Sequence, residues 1–229
     1  MPPDLDPVLT LRDLERWVRP GVSLAVLGHP IKHSISPPMH NAALAELARR
    51  DARFAEWKYF RFEIRPEDLP HALELLHAKK FRGVNLTVPH KVIAFDRIAQ
   101  VDPAAQPVGA VNTLLWNEGG WHGFNTDGYG LATAIHETLG LTLSGTPVIL
   151  LGAGGAARGA AVECLQHHCT SLHIGNRTRE NLDALIQLLT PLASGIPLYP
   201  FSLSEPPPTF PTGAIFVQAT TVGMQTTPT

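Results

Sequence analysis

The feature that most constrains this chain is a glycine-rich turn set between a strand and a helix in its second half. Residues 148–151 read as a buried strand that runs directly into Gly152-Ala153-Gly154-Gly155-Ala156-Ala157-Arg158, and a helix is predicted over 155–167. The pattern is G-x-G-x-x-A. Gly152 permits a tight turn, Gly154 lets the backbone approach a pyrophosphate, and Ala157 leaves room for the helix to pack on the strand. The N–H groups and positive end of the helix would then face the phosphates. A glycine turn can also join strand to helix and bind nothing, but the strand–turn–helix setting favours a dinucleotide. Further strands are predicted at 171–175, 196–199 and 214–218, helices at 128–139 and 179–189, and a loop with four prolines at 205–211. Strands separated by helices of this length imply a doubly wound parallel sheet with helices on both faces, an α/β architecture.

The end of the second strand indicates which dinucleotide. A site for NAD carries an acid there to hold the ribose 2′-hydroxyl. This chain has Asn176-Arg177-Thr178, followed by Arg179. A guanidinium suits a 2′-phosphate and an acid would repel it, so NADP is expected. The plainer alternative is an arginine at a strand end in solvent. No Gly-Lys-Ser/Thr ends the turn, which excludes a P-loop. A methyltransferase using a similar turn would want the missing acid.

The first half also alternates. Strands are predicted at 22–27, 57–64 and 83–88, and helices at 37–50, 67–79 and 92–99. Met39, Ala43 and Leu47 share one stripe of the first of these helices, and Leu69, Leu73 and Leu76 point inward from the second. Residues 108–116 and 121–124 read as a hairpin around Asn117-Glu118-Gly119-Gly120. Residues 1–20 are weakly patterned, with a short helix near 11–18. A boundary near Asp127 gives two expected domains, 1–127 and 128–229.

Bulk properties remove other classes. With 229 residues, 44% hydrophobic, the chain can bury a core in one or two domains. A formal net charge of −2 offers no general attraction to nucleic acid or anionic lipid, and neither partner is expected. No apolar run reaches the roughly 20 residues needed to span a bilayer. The N-terminus lacks a basic stretch followed by an apolar one, and the two cysteines, Cys164 and Cys169, suggest no disulfide framework, so a cytoplasmic location is expected. Eleven histidines include no His-Glu-x-x-His, and His167 and His168 point to different sides of any shared helix; no metal is expected.

Four phrases in the first half carry chemistry. In Ser34-Ile35-Ser36-Pro37, Ser36 before proline could be a helix N-cap, a reading that leaves Ser34 unexplained. In Asn85-Leu86-Thr87-Val88-Pro89-His90-Lys91, strand periodicity puts Asn85 and Thr87 on one face, and Leu86 and Val88 on the opposite, buried one. Two polar side chains aimed together suit a polyol better than a core. Lys91 taken alone is equally a solvated surface lysine. Asn112-Thr113 and Asn125-Thr126-Asp127-Gly128 complete the set, and Asp127 could simply cap the following helix.

Taken together, these phrases closely resemble the shikimate dehydrogenase family. The residues that carry the resemblance are 28–37, 85–91, 109–113, 125–128, 152–158 and 176–178, all in the family's order, and it covers roughly 22–224. It implies an N-terminal α/β domain for shikimate, a Rossmann domain for NADP, and a cleft between them. By motif, Ser34, Ser36, Asn85, Thr87, Asn112, Lys91 and Asp127 would contact substrate, with Lys91 and Asp127 as the catalytic pair. Gly152, Ala153, Gly154, Gly155, Ala156, Ala157, Asn176, Arg177 and Thr178 would hold the cofactor. Thr220, Thr221, Gly223 and Met224 would support its nicotinamide end.

The resemblance also implies reversible reduction of 3-dehydroshikimate by a monomer or homodimer. Two departures stand out. Gln218 replaces a common asparagine and receives no role. Family members continue beyond this C-terminus into closing helices, so the resemblance implies a chain cut short there. Alternatives are a quinate/shikimate dehydrogenase using NAD, or a catalytically silent binding fragment.

Overall fold

The computed structural model describes residues 7–223. The chain divides into two compact units, Met1–Ala105 with Ala110–Phe124, and Gln106–Gly109 with Asn125–Thr229. The first contains β1 (Val8–Leu9), α1 (Leu11–Glu15), β2 (Ser23–Gly28), α2 (Ser36–Arg50), β3 (Lys58–Glu63), α3 (Leu69–Ala78) and β4 (Gly83–Leu86). It continues through α4 (His90–Phe95), β5 (Gln100–Val101), β6 (Thr113–Asn117) and β7 (Gly120–Phe124). Its strands form one mixed sheet in the order β1-β3-β2-β4-β6-β7-β5. The first four run parallel; β6 lies antiparallel to β4 and β7.

The two-residue period of the strands sends side chains to two separate cores. One holds Leu27, Phe62, Leu86 and Leu114 with Leu69, Leu73 and Leu76 of α3. The other packs Val26 and Tyr59 against Leu44 of α2 and Ile31. The inward stripe of α3 is therefore as expected. The stripe of α2 is not the buried one: Pro37 and Leu44 face the sheet, while Met39 and Leu47 are exposed. Residues 108–112 are not strand; Gln106–Val108 is a turn of 3-10 helix, and Gly109 takes a positive φ of 60°. The short edge strands β1 and β5 carry too little pattern to be expected from sequence.

The second unit contains α5 (Asp127–Leu139), β8 (Pro147–Leu151), α6 (Gly155–Gln166), β9 (Ser171–Asn176), α7 (Arg179–Leu189), β10 (Leu198–Ser202) and β11 (Ile215–Gln218). Its sheet is parallel throughout, in the order β10-β9-β8-β11. The strand order reverses between β8 and β11, and ligands of open α/β sheets bind outside the strands' carboxyl ends at such a switch point. Among the described residues, no helix is long and apolar enough to cross a membrane, and no group of three or more His, Cys, Asp or Glu could hold a metal.

Candidate active site

In the first unit, the expected substrate residues lie at or just beyond the carboxyl ends of β2 and β4, or on the segment entering β6. The loop after β2 is pinned from below. Arg61 of β3, only 3% exposed, donates from Nη1 to the carbonyls of Lys32 (2.7 Å) and Ser34 (3.2 Å). Ser34 Oγ accepts from the Ser36 N–H at 3.3 Å. Helix α2 starts at Ser36 itself, with Ile35 in the cap position and no side-chain cap. The capping explanation for Ser36 therefore does not hold.

Asn85 stands opposite Thr113 in the β4–β6 ladder. Its Oδ1 is 2.7 Å from the hydroxyl of Tyr59, and its Nδ2 lies 3.3 Å from the Asn112 carbonyl and 3.1 Å from Thr113 Oγ1. The Thr113 hydroxyl in turn donates to Asn112 Oδ1 at 3.0 Å. Asn41 of α2 brackets Tyr59, accepting from its N–H at 2.8 Å and donating to its carbonyl at 3.0 Å. Burial raises the Tyr59 phenol well above its ordinary value, so at neutral pH its hydroxyl keeps its proton.

Thr87 donates its N–H to Leu27 O (2.9 Å) and accepts from the His90 N–H at its carbonyl (2.8 Å). A Cβ at Gly28 would sit 2.5 Å from Thr87 Cγ2, so glycine there admits the threonine. Val88 is exposed rather than buried, because β4 ends at Leu86 and the strand alternation ends with it. Lys91 is the second residue of α4, and its carbonyl accepts from the Val111 N–H at 2.9 Å, tying α4 to the segment that carries Asn112.

His90 is fully buried, with Nε2 2.9 Å from the Ile64 carbonyl. A carbonyl only accepts, so Nε2 carries the proton. Burial pushes the imidazole pKa down to about 4, and the neighbouring charge of His29 acts in the same direction.

In the second unit, Asp127 is the first residue of α5, and Thr126 occupies the cap position without a side-chain cap. The Asp127 N–H donates to Asn125 Oδ1 at 3.0 Å. Helices α5 and α6 cross closely at a pair of glycines. A Cβ on Gly128 would lie 2.9 Å from Gly159 O, and one on Gly159 would lie 3.1 Å from Asp127 Cβ. Asp127 is thus held against α6.

The glycine turn has the form its sequence demands. Gly152 has φ 121° and donates its N–H to Gly175 O at 2.8 Å. A Cβ there would lie 2.7 Å from Ala219 O, so the turn after β8 and the loop after β11 touch backbone to backbone. Gly154 takes the cap position of α6 with extended backbone and no side-chain cap, and a Cβ on it would meet nothing within 4 Å. Open space before a helix N-terminus fits a phosphate. Ala157 is fully buried, Gly155 opens α6 and is followed by Ala156, and Ala153 lies in the turn between Gly152 and Gly154.

At the end of β9, Asn176 Nδ2 donates to Thr178 O at 2.8 Å. Arg179 is engaged by Asp183 at 2.9 Å, whereas exposed Arg177 makes no ion pair among the described residues. After β11, Ala219 donates to Leu151 O (2.8 Å), Thr220 to Gln218 Oε1 (3.0 Å), and Val222 to Thr220 Oγ1 (3.2 Å). Gln218 therefore has a role after all: its side chain shapes the turn through Thr220 and Thr221 to Gly223. Met224 lies outside the described residues.

Two units of this build invite comparison with known proteins. Residues 26–114 match the family model for the shikimate dehydrogenase substrate binding domain. The chain is 34% identical over 199 residues to the NADP(+) shikimate dehydrogenase of Geobacillus kaustophilus, covering 87% of this chain and 68% of that protein. The chain belongs to the shikimate dehydrogenase family. A second member, from Moorella thermoacetica, is 41% identical over 174 residues, a match spanning 76% of this chain and 56% of that relative. The shikimate 5-dehydrogenase of Thermus thermophilus, solved in complex with NADP(H) and shikimate, superimposes with a TM-score of 0.70 at 36% identity, covering 88% of this chain and 69% of that one. The chain thus spans little more than half to two thirds of the length of these family members.

Tyr59, Arg61 and His90 were not singled out by sequence reasoning. The available signal was the strand's two-residue period, which puts Tyr59 and Arg61 of Lys58–Glu63 on one face, opposite Phe60 and Phe62. For His90 there was none beyond its place before Lys91.

Proposed function

We propose that this chain is an NADP-dependent shikimate dehydrogenase, reversibly reducing 3-dehydroshikimate to shikimate in the cytoplasm as a monomer or homodimer. The observation that carries the reading is the coexistence in one chain of two features. One is the cluster of oriented amides and hydroxyls around Asn85 and Asn112. The other is a dinucleotide turn whose second strand ends in the exposed Arg177 instead of an acid. The relatives' names supply the substrate that such a cluster would take.

Ser34, Ser36, Asn85, Thr87 and Asn112 are proposed to hold the polyol, the first two from the loop that Arg61 ties down. The turn Gly152–Ala157 would hold the pyrophosphate, Asn176–Thr178 the adenosine 2′-phosphate, and the segment from Thr220 to Gly223 the nicotinamide end. NADPH held by these residues would supply the hydride chemistry of the reaction. The protein must then protonate the oxygen that gains negative charge. Lys91 is proposed to donate that proton from its ammonium group, stabilising the developing alkoxide as it does so, and Asp127 is proposed as the second catalytic residue. In the oxidising direction, the neutral amine takes the proton from the substrate hydroxyl.

Thermal unfolding with and without shikimate, quinate, NADP⁺ and NAD⁺ tests the reading. A ligand bound only by the folded state adds about 2.7 kcal/mol at a hundredfold excess over Kd. The expected result is a raised midpoint with shikimate and with NADP⁺. Larger shifts with quinate and NAD⁺ would move the assignment to a quinate enzyme. A cooperative transition unmoved by any of the four would refute the site.

A further inference from the structure

The amide of Asn85 is surrounded in a way that decides what it can still bind. The Asn112 main-chain carbonyl, which can only accept, lies 3.3 Å from one terminal atom of that amide, so that atom must be the NH₂ group. Its second proton is directed at Thr113 Oγ1, 3.1 Å away. The oxygen of the amide therefore faces Tyr59, whose hydroxyl lies at 2.7 Å and must donate. Thr113, having accepted from Asn85, sends its own proton on to Asn112 Oδ1 at 3.0 Å. The result is a hydrogen-bond chain of one polarity, Tyr59 to Asn85 to Thr113 to Asn112, anchored at its head by the two hydrogen bonds between the Tyr59 backbone and the Asn41 side chain and by the stacking of His40 on the Tyr59 ring at 4.2 Å. Every link lies within the first unit.

We propose that Thr113, with Tyr59 at the head of the chain, is a positioning residue that takes the second amide proton of Asn85 and holds that amide in place, and that Asn85 consequently meets substrate only as an acceptor. Both of its amide protons are used inside the protein, and one Oδ1 lone pair is what remains. Asn85 can then receive a substrate O–H, but cannot donate to a carboxylate or a ketone oxygen. The group it recognises is one of the ring hydroxyls. Without the Thr113 hydroxyl, the Asn85 amide loses the partner that takes its second proton, and Asn112 Oδ1 loses a donor. The Asn112 carbonyl and the Tyr59 hydroxyl still hold the NH₂ and the oxygen of Asn85 on their own sides, so the amide keeps its sense, but its second proton is left without an acceptor and the oxygen is held less firmly toward the substrate. This inference rests on Asn85 and Asn112 being substrate contacts, as proposed above.

The test uses the full chain and calorimetric dissociation constants for shikimate and NADP⁺, with melting midpoints alongside. Thr113→Val keeps the branched shape and removes the hydroxyl; Thr113→Ser keeps the hydroxyl and removes the methyl. Shikimate binding is expected to weaken roughly tenfold in Thr113→Val, the cost of one lost or misdirected hydrogen bond, and to stay within about twofold of wild type in Thr113→Ser. NADP⁺ binding should be unchanged in both. Equal weakening in the two variants would assign the effect to packing of the methyl group and overturn the inference. So would shikimate binding by Thr113→Val within twofold of wild type, if Asn85→Ala weakens it strongly. If wild type binds no shikimate, or Asn85→Ala binds it unchanged, the substrate reading itself fails and takes this inference with it.

Discussion

Acid should destabilise this protein through His90, by an amount its burial sets. Its imidazole titrates near 4 in the folded chain against an ordinary 6.5. The folded form thus refuses a proton that the unfolded form accepts. The neutral group's contribution is fully present above pH 6.5, declines as pH falls, and is exhausted below about 4. The whole gap corresponds to about 3.4 kcal/mol, of which about 2 kcal/mol falls between pH 7 and pH 5. A domain of this kind has only about 5–15 kcal/mol in total, so the loss is large enough to measure. The assay is urea unfolding at the two pH values for wild type and His90→Gln. Glutamine can place an N–H where Nε2 now donates to Ile64 O, and it does not titrate. Carboxylates titrate alike in both proteins and cancel in the comparison. Wild type should lose about 2 kcal/mol more than the variant between pH 7 and pH 5. Equal losses would show that the buried imidazole does not resist protonation, and would refute the argument from burial.

Three further outcomes are expected. Lys91→Ala should abolish turnover while leaving the NADP⁺ dissociation constant nearly unchanged; turnover within a few-fold of wild type would remove Lys91 from the chemistry. Arg177→Ala should weaken NADP⁺ about tenfold or more and leave NAD⁺ almost untouched, as the loss of a charge-assisted contact to a 2′-phosphate requires; equal losses would refute the 2′-phosphate role. Gly152→Ala must place a Cβ 2.7 Å from the Ala219 carbonyl oxygen at a backbone φ of 121°. It should cost about 2 kcal/mol or more in denaturant unfolding, and a stability equal to wild type would mean that the turn relaxes freely.

Much of this protein is legible in one dimension because its information is periodic or local. The strand–helix alternation of the second half, the inward leucines of α3, and the turn at Gly152 each depend on residues close in sequence, and each is found as expected. The expected site residues sit at strand ends and helix starts for the same reason: motif and local conformation coincide there.

What failed to show in sequence depends on partners far along the chain. The side of α2 that turns inward is chosen by the sheet beneath it, so Leu44 is buried while the equally apolar Met39 and Leu47 stay in water. Val88 emerges because β6 pairs β4 only as far as Asn85. Tyr59, Arg61 and His90 acquire their roles from bonds to Asn85, Ser34 and Ile64, each some 26 or 27 residues away. By itself, the sequence determined the kinds and order of the longer elements, and the chemical groups offered at their ends. Only the tertiary structure decided how those groups are oriented and charged, because a hydrogen bond's direction and a buried group's proton affinity are set by the atoms packed around it, whatever their distance along the chain.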